Sequence, residues 1–290
     1  MNVRLSSMLL ILLLVFTIVE LVGTLLGVVS VARLTSIIGK SSFYMVMGIL
    51  VYSVYSGRMG VFIVGGLGLT ASTTVMLKTV LDMPRPPQNL WLTEATGPGF
   101  PSGHAAMSIS FAILVWRATK NRLLASALLI HAFAVSYSRI VLMVHYPLDV
   151  VGGLLVGIAT SILSVFIYDK IGEPAKYLFI VSIPSLLASI VASYYMPSYS
   201  DTPLLTGFSA GALLVYPLLL RMPGNILESR RKCIIIPSVT LGFLGLGLVV
   251  LLERTGSYPL ILIGGALLVI AVVSSRLLSH LLVCRNKGRI

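Results

Sequence analysis

What this sequence has least of is charge. Only 10% of its 290 residues are Asp, Glu, Lys or Arg, against about 25% in an ordinary soluble domain. So few charges cannot clothe a water-facing surface. That excludes a soluble globule and points to a chain that crosses a membrane several times. Acidic residues are the scarcest, 9 against 21 basic ones, giving a net charge of +12. In a soluble protein that excess would suggest nucleic acid as a partner. Here the basic residues cluster between apolar runs and suit membrane orientation and anionic headgroups, so no nucleic-acid partner is expected. Cysteine is nearly absent: Cys233 and Cys284 stand outside any CxxC pattern, leaving a disulfide framework or thiolate zinc site without support. Walker and kinase signatures are missing, as is an obvious carboxylate cage for magnesium.

What is present is apolar. The chain is 57% hydrophobic, with a mean hydropathy of +1.01. Ten runs read as candidate spans: 8–31, 42–57, 60–80, 103–117, 123–140, 146–168, 176–195, 203–221, 233–252 and 257–280. About 20 residues cross a hydrocarbon core as a helix, so the second and fourth runs are short. The runs are too continuous for barrel strands, and helices satisfy their own backbone in lipid. The first run is longer than a signal-peptide core, so a retained span is expected. The predicted fold is therefore all-α, a polytopic transmembrane helical bundle. Ten spans place both termini on one side. That side receives fifteen of the 21 Lys and Arg residues, and the other receives Arg33, Lys40, Lys78, Arg85, Arg139 and Arg254. The excess of positive charge makes both termini cytoplasmic.

The minority cations share the outer face with three polar clusters. The first runs from Lys78 to Arg85 and Pro86, with Pro84 and Pro86 stiffening the chain around Arg85. Two cations held this way can clamp an anion, though interfacial anchoring is the plainer reading. The second is Pro101-Ser102-Gly103-His104. It reads as a helix start, where Ser can cap and free N–H groups attract phosphate. Gly103 allows close approach to the backbone, and His104 can move a proton. The third is Ser138-Arg139, then His145 and Asp149. Arg139 brings a fork of donors suited to phosphate. A helix starting near Tyr146 would set Asp149 beside His145, orienting its ring. A nucleophile with an orienting carboxylate, an acid and three cations form an inventory for phosphoryl transfer. The expected route is a covalent phosphohistidine without metal or other cofactor.

Lys78-x6-Arg85-Pro86, Pro101-Ser102-Gly103-His104 and Ser138-Arg139-x5-His145-x3-Asp149 together resemble the tripartite signature of the type 2 phosphatidic acid phosphatase (PAP2) family, membrane lipid phosphatase branch. The resemblance covers a six-helix core, residues 1–170, and leaves about four additional transmembrane helices in 171–290. It implies catalytic roles for His145 as nucleophile, Asp149 as its support and His104 as proton donor and then base. Lys78, Arg85, Arg139, Ser102 and the Gly103 N–H would hold phosphoryl oxygens. The implied protein is multi-pass in the cell membrane, with its active site on the extracytoplasmic side. Its partner would be a membrane lipid substrate, with a polyprenyl diphosphate favoured. Phosphatidate, phosphatidylglycerol phosphate, sphingoid phosphate and, less so, a sugar phosphate are alternatives. A transporter or lipid-phosphate binding protein is the competing class. Oligomeric state is not readable, and 171–290 carries no legible motif. Phe100, Leu90, Trp91 and Leu92 anchor the loop or line a mouth. Of the ionisable groups inside spans, His131 is expected to make a buried hydrogen bond rather than touch phosphate, and Glu20 to pair inside the bundle or face a polar cavity.

Overall fold

Gly27 ends the first span earlier than hydropathy predicts. The computed structural model describes residues 3–196, 201–222, 240 and 257–279. Helix α1 (Val3–Leu25) stops where Gly27 takes φ +73°. Gly27 N–H donates to Thr24 O and Val28 N–H to Gly23 O, both at 3.0 Å. This is the left-handed helix stop that glycine permits without a Cβ penalty. The chain restarts at once as α2 (Val29–Ile38), and α3 (Ser41–Leu50) follows after a 50° bend. The second apolar run thus belongs to a bent helix pair beginning at Val29, not to a straight helix from 42. Arg33 and Lys40, expected in an outer connection, lie on α2 and at the bend. The apolar run passes through Gly27 unbroken, so only the backbone reveals the stop.

The remaining helices follow the predicted runs. They are α4 (Gly57–Leu81), α5 (Gly103–Thr119), α6 (Arg122–Val141), α7 (Pro147–Ile171), α8 (Pro174–Tyr195), α9 (Asp201–Leu214), α10 (Tyr216–Arg221) and α11 (Tyr258–Ser279). A π turn (Val51–Tyr55) and a 3-10 turn (Gln88–Leu90) complete the set. Among the described residues every regular element is helical. The run at 233–252, both cysteines and the polar stretch 223–232 lie outside the described residues. Six stretches are long and apolar enough to cross a membrane, seven with the bent pair. Their outward side chains are apolar: Leu12, Val15 and Val19 on α1 and Leu155, Ile162 and Phe166 on α7 are all exposed. Lipid, not water, is the solvent such faces need. This is a multi-pass membrane protein.

The chain forms two compact units. The first takes residues 1–44 and 73–165, the second 45–72 and 166–290. In the first, α1 packs along α6, and α2 lies against both. Buried Glu20 on α1 sits 2.7 Å from His131 Nδ1 on α6, and His131 Nε2 meets the Tyr44 hydroxyl at 3.0 Å. Both ring nitrogens of His131 are thereby occupied, the buried hydrogen bonding expected of it, and its partner on α1 is Glu20. The α5–α6 turn is tight, with Lys120 left-handed and Asn121 Oδ1 capping Leu124 N–H. On α7, a Cβ added at Gly153 or Gly157 would collide with the carbonyl oxygens of Ser102 and Ala106. Ser161, one turn on, donates to Ser110 Oγ at 2.9 Å. Small residues at four-residue spacing bring the two backbones together, as they do between membrane helices generally.

In the second unit, glycines again set helix spacing. A Cβ at Gly207 of α9 would strike the Leu262 carbonyl of α11. A cavity of about 660 Å³, open mouth included, is lined by Ile49, Val64, Val181, Phe208 and Val272 among other mostly apolar residues of this unit.

Candidate active site

All the predicted site residues belong to the first unit, and its loop 82–102 is fixed by backbone bonds. Gly99 N–H donates to Met83 O at 2.7 Å, Leu92 N–H to Leu142 O at 3.0 Å and Ser102 N–H to Asp149 O at 2.8 Å. Trp91 packs on the Ala32, Leu142 and Val144 cluster and donates its indole N–H to Pro86 O at 2.8 Å. The Phe100 ring fills the space left by Gly152. Both aromatics therefore anchor the loop, which decides between the two roles open for them.

Asp149 occupies the third position of α7, and its Oδ2 accepts the Tyr146 backbone N–H at 2.9 Å. A carboxylate reaching back to the helix start satisfies a donor the helix leaves free. The same oxygen lies 3.3 Å from His145 Nδ1. The His145 Nε2 lies 2.9 Å from Arg85 Nη1. Arginine can only donate, so Nε2 is the acceptor and the imidazole proton sits on Nδ1, facing Asp149. The geometry thus selects a neutral ring with its lone pair on Nε2. His145 is 4% exposed. Burial first, then the charges of Arg85, Lys78 and Arg139, push its pKa well below the usual histidine value, against a smaller opposing effect of the Gly99 carbonyl as an acceptor.

The cations are rigidly held. Lys78, 1% exposed near the end of α4, donates to Pro98 O at 2.5 Å and Gly99 O at 3.1 Å. Arg85 also donates to Thr96 O, Gly97 O and Val144 O at 2.8–2.9 Å. Arg139, in the last turn of α6, donates to the Ser36 hydroxyl of α2. Three cations and one carboxylate in so small a space leave positive charge for an anion to balance.

The PSGH segment opens α5 with Ser102 at the N-cap position, but its side chain makes no capping bond. Its Oγ is buried without a partner, as is His104 Nε2. The expected cap is therefore not formed, and the hydroxyl is left for another acceptor. Gly103 is not required by packing: a Cβ there would meet only Thr74 Cγ2 at 3.8 Å. Arg139 and Arg85 are the cations whose charge bears most on His104. Among the described residues, no group of three or more His, Cys, Asp or Glu side chains is placed to hold a metal ion.

Two contributors escaped the sequence. Ser36 has no local signal, since it meets Arg139 only through the folding of α2 onto α6. The Gly153-x3-Gly157-x3-Ser161 spacing was legible and would have predicted the close α5–α7 contact that seats Ser102 against Asp149.

Comparison with known proteins converges on one family. Residues 60–173 match the sequence profile of the PAP2 superfamily. Over 85 residues, 29% of this chain and 41% of the relative, it is 35% identical to YbjG of Escherichia coli (strain K12), provisionally named an undecaprenyl-diphosphatase. It is 40% identical over 75 residues to a lipid A 4'-phosphatase of Bacteroides thetaiotaomicron, covering 26% of this chain and 33% of that one. A Dictyostelium discoideum protein provisionally named a sphingosine-1-phosphate phosphatase is 28% identical over 210 residues, 63% of this chain and 52% of that one. The chain thus spans about half or less of the length of these curated relatives. No solved structure matches it.

Proposed function

We propose that this protein, whose residues 60–173 match the PAP2 superfamily, hydrolyses a membrane lipid phosphate or diphosphate through a phosphohistidine, without a metal. The observation that carries the reading is the His145 arrangement: proton on Nδ1 beside Asp149, lone pair on Nε2 amid cations.

In the first step Nε2 attacks phosphorus, an N–P bond forms and the P–O bond to the leaving group breaks. His104, protonated, gives its proton to the departing oxygen. Positive charge develops on the His145 ring, which Asp149 offsets. In the second step His104 takes a proton from water, the water oxygen bonds to phosphorus and the N–P bond breaks. Lys78, Arg85, Arg139, Ser102 Oγ and the N–H groups opening α5 hold the phosphoryl oxygens throughout.

An amphiphile suits this site because its tail can remain in lipid while its headgroup reaches the polar clusters; each buried CH₂ contributes about 0.8 kcal/mol. The substrate favoured is a polyprenyl diphosphate, in line with the name of the Escherichia coli relative. The site faces the extracytoplasmic side and both termini the cytoplasm. A cysteine placed at Thr96 is then labelled by an impermeant thiol reagent in intact cells; labelling only after permeabilisation reverses the topology.

The test of function is phosphate release by purified protein from a polyprenyl diphosphate, its monophosphate, phosphatidate, phosphatidylglycerol phosphate and glucose 6-phosphate, each with and without EDTA. His145→Ala should abolish release while inserting normally. Turnover near wild type in that variant sinks the mechanism, and EDTA inhibition not caused by substrate aggregation sinks the metal-free route.

A further inference from the structure

The bent α2–α3 pair lies against α6 in a definite register. Ser36 accepts a hydrogen bond from Arg139, Gly39 packs so closely on Val135 that a Cβ would collide with it, and the Tyr44 hydroxyl meets His131 Nε2 at 3.0 Å. Positions 36, 39 and 44 thus run antiparallel to 139, 135 and 131. Lys40 is held between two anchored residues, opposite the stretch of α6 that ends in Arg139. On the α5 side, the Tyr44 ring packs on Phe111 with 5.2 Å between centroids, about two helical turns beyond His104. Lys40, four residues before Tyr44, is therefore placed within about one helical turn of the level of His104. Its side chain is exposed and has no hydrogen bond or ion pair with the described residues. It lies outside the residues matched to the family, 60–173.

His104 marks the leaving-group side of the phosphorus under attack. In a monophosphate ester the leaving oxygen carries carbon, which needs no cation. In a diphosphate it carries a second phosphoryl group, whose charge must be met. We propose that Lys40, at the α2–α3 bend, is the subsite for that second phosphoryl group and a determinant of diphosphate over monophosphate substrates. This rests on the phosphatase reading above, and it assigns Lys40 to substrate recognition rather than to interfacial anchoring. Lys is suited to the place, since an ammonium on a flexible stem can follow a group that moves away as the bond breaks.

The test compares two esters with one tail, farnesyl diphosphate and farnesyl monophosphate, on wild type, Lys40→Met and Lys40→Arg in the same detergent. Lys40→Met should lower kcat/KM for the diphosphate at least tenfold and change that for the monophosphate by less than threefold. Lys40→Arg should keep the diphosphate activity within threefold of wild type. Equal losses on both esters, or no loss on the diphosphate, overturn the subsite. A wild type that releases phosphate from the monophosphate alone overturns it while leaving the phosphatase reading intact. Release from neither ester by the wild type overturns the subsite, and no release from phosphatidate or phosphatidylglycerol phosphate either overturns the phosphatase reading with it.

Discussion

Arg85 Nη1 lies 2.9 Å from His145 Nε2, the ring nitrogen that carries the lone pair. The nucleophile of the proposed reaction is thus held by one of its own phosphate-binding cations. In that reaction a phosphoryl oxygen arriving between them would take over the Nη1 donor and free the Nε2 lone pair. The remaining guanidinium bonds, to the Thr96, Gly97 and Val144 carbonyls, keep the fork in place during the exchange. Arg85→Lys retains the charge but cannot span those carbonyls, so kcat/KM should fall by about 10²–10³-fold, the usual cost of removing an oriented donor. Steady-state phosphate release measures it, and a lysine variant within threefold of wild type would show that charge alone suffices.

The same contact sets a pH dependence. Burial and the charges of Arg85, Lys78 and Arg139 hold the His145 pKa below the ordinary value of 6.5. The neutral nucleophile therefore persists below pH 6.5, and the acid limb of kcat/KM lies below it once the ionisation of the substrate is subtracted. Arg85→Gln removes the largest of the charge contributions, so the limb should move to higher pH in the residual activity. For folding the sign is also fixed. As pH falls below about 6.5 the unfolded chain takes up the proton before the folded one, so this group lowers stability from there down to its folded pKa. An Arg85→Gln profile shifted to lower pH, or not shifted, contradicts the assignment.

How much of this was readable in advance depended on sequence distance. His145 and Asp149 are four residues apart, and a helix start expected near Tyr146, observed at Pro147, was enough to pair them. Lys78, Arg85 and the PSGH segment could be gathered on one membrane face by counting spans and charges. The contact between Arg85 and His145 spans 60 residues and that between Ser36 and Arg139 spans 103; neither leaves a local trace. The stop at Gly27 was masked because hydropathy continues across it. The Ser102 side chain makes no capping bond, while its backbone N–H is tied to Asp149 O across the α5–α7 contact. Local propensity favours a cap there, and the packing of α5 on α7 overrides it.

Asp149 serves two donors with one oxygen, His145 Nδ1 and Tyr146 N–H. Asp149→Asn preserves an acceptor for the backbone, so α7 should start normally and thermal stability should change by less than about 1 kcal/mol. The negative charge that offsets the imidazolium is lost, and kcat should fall on the order of 10³-fold. The loss should appear equally in kcat and kcat/KM, because it concerns charge that develops only during attack. A variant that raises KM with kcat unchanged would place Asp149 in substrate binding instead.

Gly103 and Gly157 separate function from packing. At Gly157 a Cβ would run into the backbone carbonyl of Ala106, which cannot swing aside. Gly157→Ala should therefore cost about 1–3 kcal/mol and lower the melting temperature, as overpacking does elsewhere. At Gly103 a Cβ finds only the Thr74 methyl at 3.8 Å, an ordinary contact, and alanine is a better helix residue than glycine. Gly103→Ala should melt no lower than wild type. If the N–H groups opening α5 receive a phosphoryl oxygen, the added methyl obstructs that approach, and KM should rise at least fivefold. Thermal unfolding by intrinsic fluorescence in detergent, read beside phosphate-release kinetics, distinguishes the two. A Gly103→Ala protein that is stable and binds substrate as wild type does would remove the backbone of α5 from the phosphate site.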